Sequence, residues 1–230
     1  MIAALAVAFL LQDTPADLLK KVEEKYASAK TFSASAEIRL TSKKDGKDVT
    51  GEMRGTIRAK GEGMSRLEIS GSMGGREAPP TGFLSDRKRL AVLQTAGQSK
   101  RGEQKEPFGT WARRFHVRVG VLGSTAAFVA TAMVPEAVKV ETLFAVSEVA
   151  DGGKETVGGR ECRIIACTVA NPDPKGPPMK CRLWIDPLKL VVMKREAAIP
   201  GAKDSGSVVE TYADTVFDAD MPDDVFKIAD

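Results

Sequence analysis

The sequence predicts an α+β fold, a strongly curved antiparallel sheet with helices covering its concave face. Three observations carry this. Cys181-Arg182-Leu183-Trp184-Ile185 runs into Asp186-Pro187 and is followed closely by Leu190-Val191-Val192-Met193. Two β-rich runs joined so tightly by turn residues read as an antiparallel hairpin. Period-two alternation recurs along most of the chain, whereas helical periodicity is confined to the N-terminal region and one central stretch. An antiparallel sheet with one apolar face leaves that face free for such helices.

The elements follow in order. Asp13-Thr14-Pro15 opens a helix, with Thr14 as the cap and Pro15 in the first turn, where a missing N–H does no harm. Leu18, Leu19, Val22 and Tyr26 mark its apolar face and Ala29 its end. From Phe32 the period becomes two: Phe32, Ala34, Ala36, Ile38 and Leu40 point one way. After a turn at Lys44-Asp45-Gly46-Lys47, Val49, Gly51, Met53, Gly55, Ile57 and Ala59 repeat the pattern. A third strand spans about 65–71, with Leu67 and Ile69 inward. Residues 71–80 read as a Gly- and Pro-rich loop, 82–85 and 90–95 as strands, and 96–106 as a polar loop.

The period then turns helical. Trp111, Phe115, Val119, Leu122, Ala126, Val129 and Met133 form one stripe, interrupted by Gly120 and Gly123 and ended by Pro135. Strands resume at about 143–149, 155–157 and 160–169, then come the hairpin and a last strand at 208–215, and residues 221–226 dock the tail. With 230 residues and neither a repeat nor a linker, residues 13–230 are expected to form one domain.

Hydrophobic content of 43% with 28% charge is globular, and a net charge of +3 spread along the chain does not describe a nucleic-acid protein. Residues 1–12 are apolar, of signal-core length and too short to span a bilayer. They read either as an export signal or as a buried segment. Cys162, Cys167 and Cys181 read as buried free thiols, with a Cys167–Cys181 disulfide as the alternative. No zinc site is expected, because a second ligand pair is missing.

Signs of catalysis are few. No nucleophile elbow, phosphate loop or His-Glu-x-x-His occurs. The single histidine, His116, sits in Arg113-Arg114-Phe115-His116-Val117-Arg118, where neighbouring guanidinium groups disfavour the imidazolium of a general base. Arg113, Arg114 and Arg118 read either as a solvated face or as a cationic rim for anionic head groups. Asp86, Asp186 and Asp214 read as turn residues. The helical stripe is either a packed core or the wall of an apolar cavity. Ala34, Ala36, Gly51, Met53 and Gly55 would leave room for the latter.

The chain resembles the LolA-like periplasmic lipoprotein carriers. The matching residues are the helix from Ala16 to Ala29, Lys30-Thr31-Phe32-Ser33-Ala34-Ser35, Gly51-Glu52-Met53-Arg54-Gly55 with Lys60, and Phe83-Leu84-Ser85-Asp86 before Leu90. Leu183-Trp184-Ile185-Asp186-Pro187, Glu210-Thr211-Tyr212-Ala213-Asp214 and Pro222-Asp223-Asp224-Val225-Phe226 are similar to later parts of the wider lipoprotein-sorting superfamily. The resemblance implies an unclosed β-barrel with a helical lid, an acyl-chain cavity, and neither cofactor nor catalysis. Its cavity lining would be Ile38, Met53, Ile57, Leu67, Ile69, Trp111, Phe115, Val119, Leu122, Val129 and Met133, with Arg113, Arg114 and Arg118 at the rim. Two positions depart: Gly61-Glu62 stands where the carriers have Arg-Pro, a side chain linked to lipoprotein release, and Arg87 replaces a glycine.

Three functional expectations follow. The first is a non-enzymatic envelope protein, periplasmic or otherwise exported, that binds a lipid or a lipidated protein and touches membranes peripherally. The second is a sensor or interaction domain of the same fold with an envelope protein partner. The third is a hydrolase using His116.

Overall fold

The structure, a computed structural model, describes residues 13–44, 47–94, 97–103, 107–133, 143–171, 176–199 and 206–228. The predicted signal segment, the turn pair Asp45-Gly46 and Pro135 lie outside them.

Helix α1 (Pro15–Ser28) starts where the Thr14 hydroxyl accepts a bond from the Asp17 amide at 3.1 Å. It buries Leu18, Leu19, Val22 and Tyr26, the face that the periodicity marks. Strands β1 (Thr31–Lys44), β2 (Lys47–Lys60), β3 (Met64–Met73), β4 (Arg76–Asp86), β5 (Arg89–Gln94) and β6 (Gly97–Glu103) follow as a meander. Helix α2 (Phe108–Met133) comes next. It is followed by β7 (Val146–Val157), β8 (Arg160–Val169), β9 (Met179–Asp186), β10 (Val191–Ile199) and β11 (Gly206–Phe217).

Among the described residues all eleven strands join one antiparallel sheet, in the order β6-β5-β4-β3-β2-β1-β11-β10-β9-β8-β7. The last strand pairs with the first, so two meanders meet at β1–β11, while β6 and β7 remain edges and the sheet does not close. The inward residues of β1–β3 pack with both helices in one core. Ile38, Ile57, Leu67 and Ile69 share it with Trp111, Phe115 and Val119, as the alternation predicts.

The sequence misplaced several boundaries. The expected loop at 71–80 is the end of β3, a turn at Gly74-Gly75 and the start of β4. Pro79 and Pro80 fall where the β3–β4 register shifts between Ile69 and Gly71, a bulge that asks no ladder N–H of them. The expected polar loop at 96–106 contains β6, an edge strand whose composition lacks the apolar alternation of a buried one. The two strands expected between 143 and 157 are one, β7, with two register shifts. The turn-like Asp151-Gly152-Gly153 is absorbed there, Asp151 accepting from the Gly153 amide at 2.7 Å. The hairpin itself forms as predicted: Asp186 accepts from the amides of Leu188 and Lys189, both at 3.0 Å.

The outer face is not uniformly wet. Trp184 turns outward with Cys162 and Ile164. Its indole N–H donates to Glu155 at 2.8 Å, and Lys194 lies 4.1 Å over the ring. On the other meander the tail seals the outer side of β3–β5, where Met221, Phe226 and Ile228 pack on Met64, Leu84 and Ala91. Arg66 and Arg89 tie it down through the carbonyls of Val225 and Ile228. Phe226→Ala should therefore destabilise the protein by about 3–5 kcal/mol in urea unfolding. A loss below about 1 kcal/mol would mean that the tail is not a packed seal.

Candidate functional site: a broken helix held by buried charges

Helix α2 is two helices in one. Gly120 lies at φ 72°, ψ −167°, a region essentially reserved for glycine, and divides it into a first half ending at Val119 and a second beginning at Val121. Gly123, the other predicted interruption, lies within the helix without a positive φ. A break exposes two helix ends inside the protein, carbonyls on one side and amides on the other, and each needs partners.

The sheet supplies them. Glu210 of β11 is fully buried, and its two carboxylate oxygens accept from the amides of Val121 at 2.9 Å and Leu122 at 3.0 Å. The Tyr212 hydroxyl donates to the same carboxylate. Arg195 of β10, 3% exposed, donates from Nε to the Arg118 carbonyl at 3.2 Å and from Nη2 to the Cys181 sulfur at 3.3 Å. Arg195 and Glu210 are register partners on adjacent strands. The cation thus meets the carbonyl end of one half-helix and the carboxylate the amide end of the other, each sign matching the helix dipole.

The start of α2 is fastened separately. The amides of Gly109 and Thr110 donate to the Glu62 carbonyl at 2.7 and 3.1 Å, and Arg113 donates to the Gly61 carbonyl at 2.8 Å. The turn Gly61-Glu62, where the sequence departs from the carriers, is therefore the seat of the helix.

His116 lies between these ties. It is fully buried, neither ring nitrogen has a partner, and its ring packs on Tyr26, Phe32 and Tyr212 at centroid distances of 5.6, 5.0 and 4.7 Å. Burial, aided by the charge of Arg195, pushes its pKa down to about 3. The perturbing cation is Arg195 from β10 and none of its sequence neighbours. No hydroxyl or thiol is bonded to His116 among the described residues.

The three arginines of the predicted rim go to different places. Arg113 is 3% exposed and held by the Gly61 carbonyl, Arg118 pairs with Glu23 of α1 at 2.7 Å, and Arg114 points to solvent. Arg113 faces away from its neighbour Arg114, and Arg118, one turn on from Arg114, is drawn to α1 by Glu23. Of the predicted lining, Ile38, Ile57, Leu67, Ile69, Trp111, Phe115 and Val119 are buried in the core, and Met53 and Leu122 pack at its margin. Val129 is half-buried, and Met133 ends α2 with its side chain outside the described part. The seven buried ones meet as packed core.

A concavity of about 540 Å³ opens on the outer face. It is walled by Glu37, Arg39, Glu52, Arg54 and Glu77 and reaches Ile38 and Met53. Cys167 and Cys181 are buried and unbridged and stand opposite each other on β8 and β9.

Sequence reasoning missed Glu210, Arg195 and Tyr212. Glu210 left a signal, since it falls on the inward positions with Val208 and Tyr212. Arg195 left none. A register shift between Val192 and Lys194 reverses the parity and turns inward a residue that reads as outward.

No protein-family model and no curated protein sequence matches the chain. Among solved structures it is similar to the lipoprotein LppX of Mycobacterium tuberculosis, with 14% identity, 91% of this chain and 99% of that chain covered, and a TM-score of 0.46. For LprF of Mycobacterium bovis the values are 10%, 90%, 94% and 0.48. For a LolA superfamily protein of Nitrosomonas europaea they are 11%, 94%, 99% and 0.36. With every TM-score below 0.5, the likeness is carried no further than the course of the chain.

Two measurements test the site. Gly120→Ala places a methyl group against the Glu210 carboxylate in a glycine-only conformation. It should lower stability by at least about 2 kcal/mol, and a near-neutral result in urea unfolding would remove the break from the architecture. His116 sets a pH dependence. Its folded pKa lies below its unfolded value, so it contributes nothing above pH 6.5. Below that the unfolded chain binds a proton that the folded one refuses, and stability falls by about 1.4 kcal/mol per pH unit toward pH 3. Unfolding midpoints between pH 6.5 and 4 should fall less steeply for His116→Phe than for the wild type, whereas parallel slopes would show that His116 is not buried neutral.

Proposed function

We propose that this protein is a non-enzymatic binder of lipid, or of the acyl chains of a lipidated protein, held between the concave sheet and the second half of α2. On this reading residues 1–12 export residues 13–230 as one domain to the cell envelope, with transient membrane contact. One observation carries it: Val121 rests on Gly55 so closely that a Cβ there would meet its Cγ1 at 2.8 Å. The floor beneath this half-helix is therefore free of side chains at Gly55 and low at Ala34 and Ala36. Lifting the half-helix leaves an apolar trough, whereas a floor of Leu and Phe would leave none.

Lifting the half-helix has to release the Glu210 tie at its first two amides and exchange the apolar contacts of Val121 and of Phe128, which packs on Phe83, Phe108 and Phe115. A second reading, an interaction domain with no lipid, is favoured by the packed core and by the outer concavity with its walls of both charges.

Delipidated protein titrated with a dansyl-labelled long-chain fatty acid separates the two readings. Saturable uptake at micromolar concentration is expected, and Leu122→Asp at the margin of the core should weaken it at least about tenfold, since a charge in an apolar site is strongly disfavoured. Absence of uptake of any lipid by a folded wild-type protein sinks the carrier reading and leaves the interaction domain.

A further inference from the structure

Strands β8 and β9 set two thiols face to face. Cys167 and Cys181 are direct register partners in an antiparallel ladder and belong to the same buried core, at 4% and 3% exposure. Directly opposed residues of such a ladder have Cα atoms about 4.5–5.5 Å apart, inside the span of about 4.4–6.8 Å that a disulfide accepts. Both side chains lie on one face of the sheet, so their Cβ atoms are also neighbours. Cys162 lies in the other cluster, with Ile164 and Trp184 on the opposite face of β8, where neither partner reaches it.

The two thiols differ in their surroundings. Burial raises both thiols, Cys167 to about 12, and at Cys181 the Arg195 guanidinium, which donates to the sulfur at 3.3 Å, offsets part of the rise. Once folded, both are shielded from bulky reagents, so exchange belongs to the stage before β8, β9 and β10 close over them.

We propose that Cys167 and Cys181 are a disulfide site, closed while the chain folds in the presence of a small-molecule disulfide and open when it folds without one. The Cys181 thiolate attacks glutathione disulfide and expels one glutathione thiolate. The Cys167 thiolate then attacks the Cys181 sulfur of the mixed disulfide and expels the second. Two protein thiols lose two electrons and two protons, and one glutathione disulfide becomes two glutathione thiols. The bridge staples β8 to β9 and restricts the unfolded chain, which raises stability. It is independent of whether the protein binds lipid.

The test refolds the full chain from urea in a mixture of reduced and oxidised glutathione, caps free thiols with iodoacetamide after returning the protein to urea, and maps peptides without reduction. Expected are one capped cysteine, Cys162, and one linked pair, Cys167–Cys181, lighter by two hydrogen atoms than the two free thiols. The bridged protein should unfold at a higher urea concentration than the same protein treated with dithiothreitol, and Cys162→Ser should leave both results unchanged. Three capped thiols, glutathione adducts without a bridge, or a bridge to Cys162 would each overturn the site. A Cys167–Cys181 bridge with no gain in the urea midpoint would overturn the staple.

Discussion

The break in α2 puts helix-end amides and carbonyls into the buried interior, and the structure depends on how the sheet meets their demand for partners. An unpaired buried carbonyl or amide costs about 1–3 kcal/mol, so an unsupported break would be heavily penalised. Glu210 answers two amides with one carboxylate, and Arg195 answers the carbonyl of Arg118. Either charge alone would be a severe liability in so buried a place. Together, on neighbouring register positions, they carry no net charge into the core and match the partial charges of the two helix ends.

This arrangement fixes more than the break. The β10–β11 register places Arg195 beside Glu210, the β1–β11 register places Glu210 beside Ile38, and Ile38 pairs with Met53 on β2. A slip of one residue at any of these ladders would turn the whole inward set to solvent. The charges therefore act as a registration mark between the second meander and α2, because only one alignment brings a carboxylate to the Val121 amide and a guanidinium to the Arg118 carbonyl. His116, packed on Tyr26, Phe32 and Tyr212, fills the space between the two ties and joins α1 to the same centre.

What the sequence revealed and what it concealed have separate physical reasons. Leu18, Leu19, Val22 and Tyr26 on α1 and the alternation from Phe32 to Ala59 were legible because burial there follows an undisturbed period. The break was legible in part, since Gly120 announces an interruption but not the partners that make it tolerable. Pro79 and Pro80 misled because a bulge accommodates them, and β6 because an edge strand needs no apolar face. The site misled most where contact in space replaces contact along the chain. Arg113, Arg114 and Arg118 look like one cluster and serve three destinations, while Arg195 and Glu210 come from separate strands.

On the proposed reading, the same ties set a threshold for the ligand. In the closed state the underside of the second half-helix already has apolar partners, so an acyl chain that replaces it exchanges one apolar contact for another. The polar terms decide. Releasing the half-helix gives up two hydrogen bonds to a carboxylate, each worth about 1.5–3 kcal/mol, against about 0.8 kcal/mol for every methylene newly buried. A short chain cannot offset that loss, and one with several methylenes beyond those that merely replace the helix can. A ligand shifts such an equilibrium only by its preference for the open state. The buried carboxylate that holds the helix therefore also acts as a filter that favours long acyl chains over short ones.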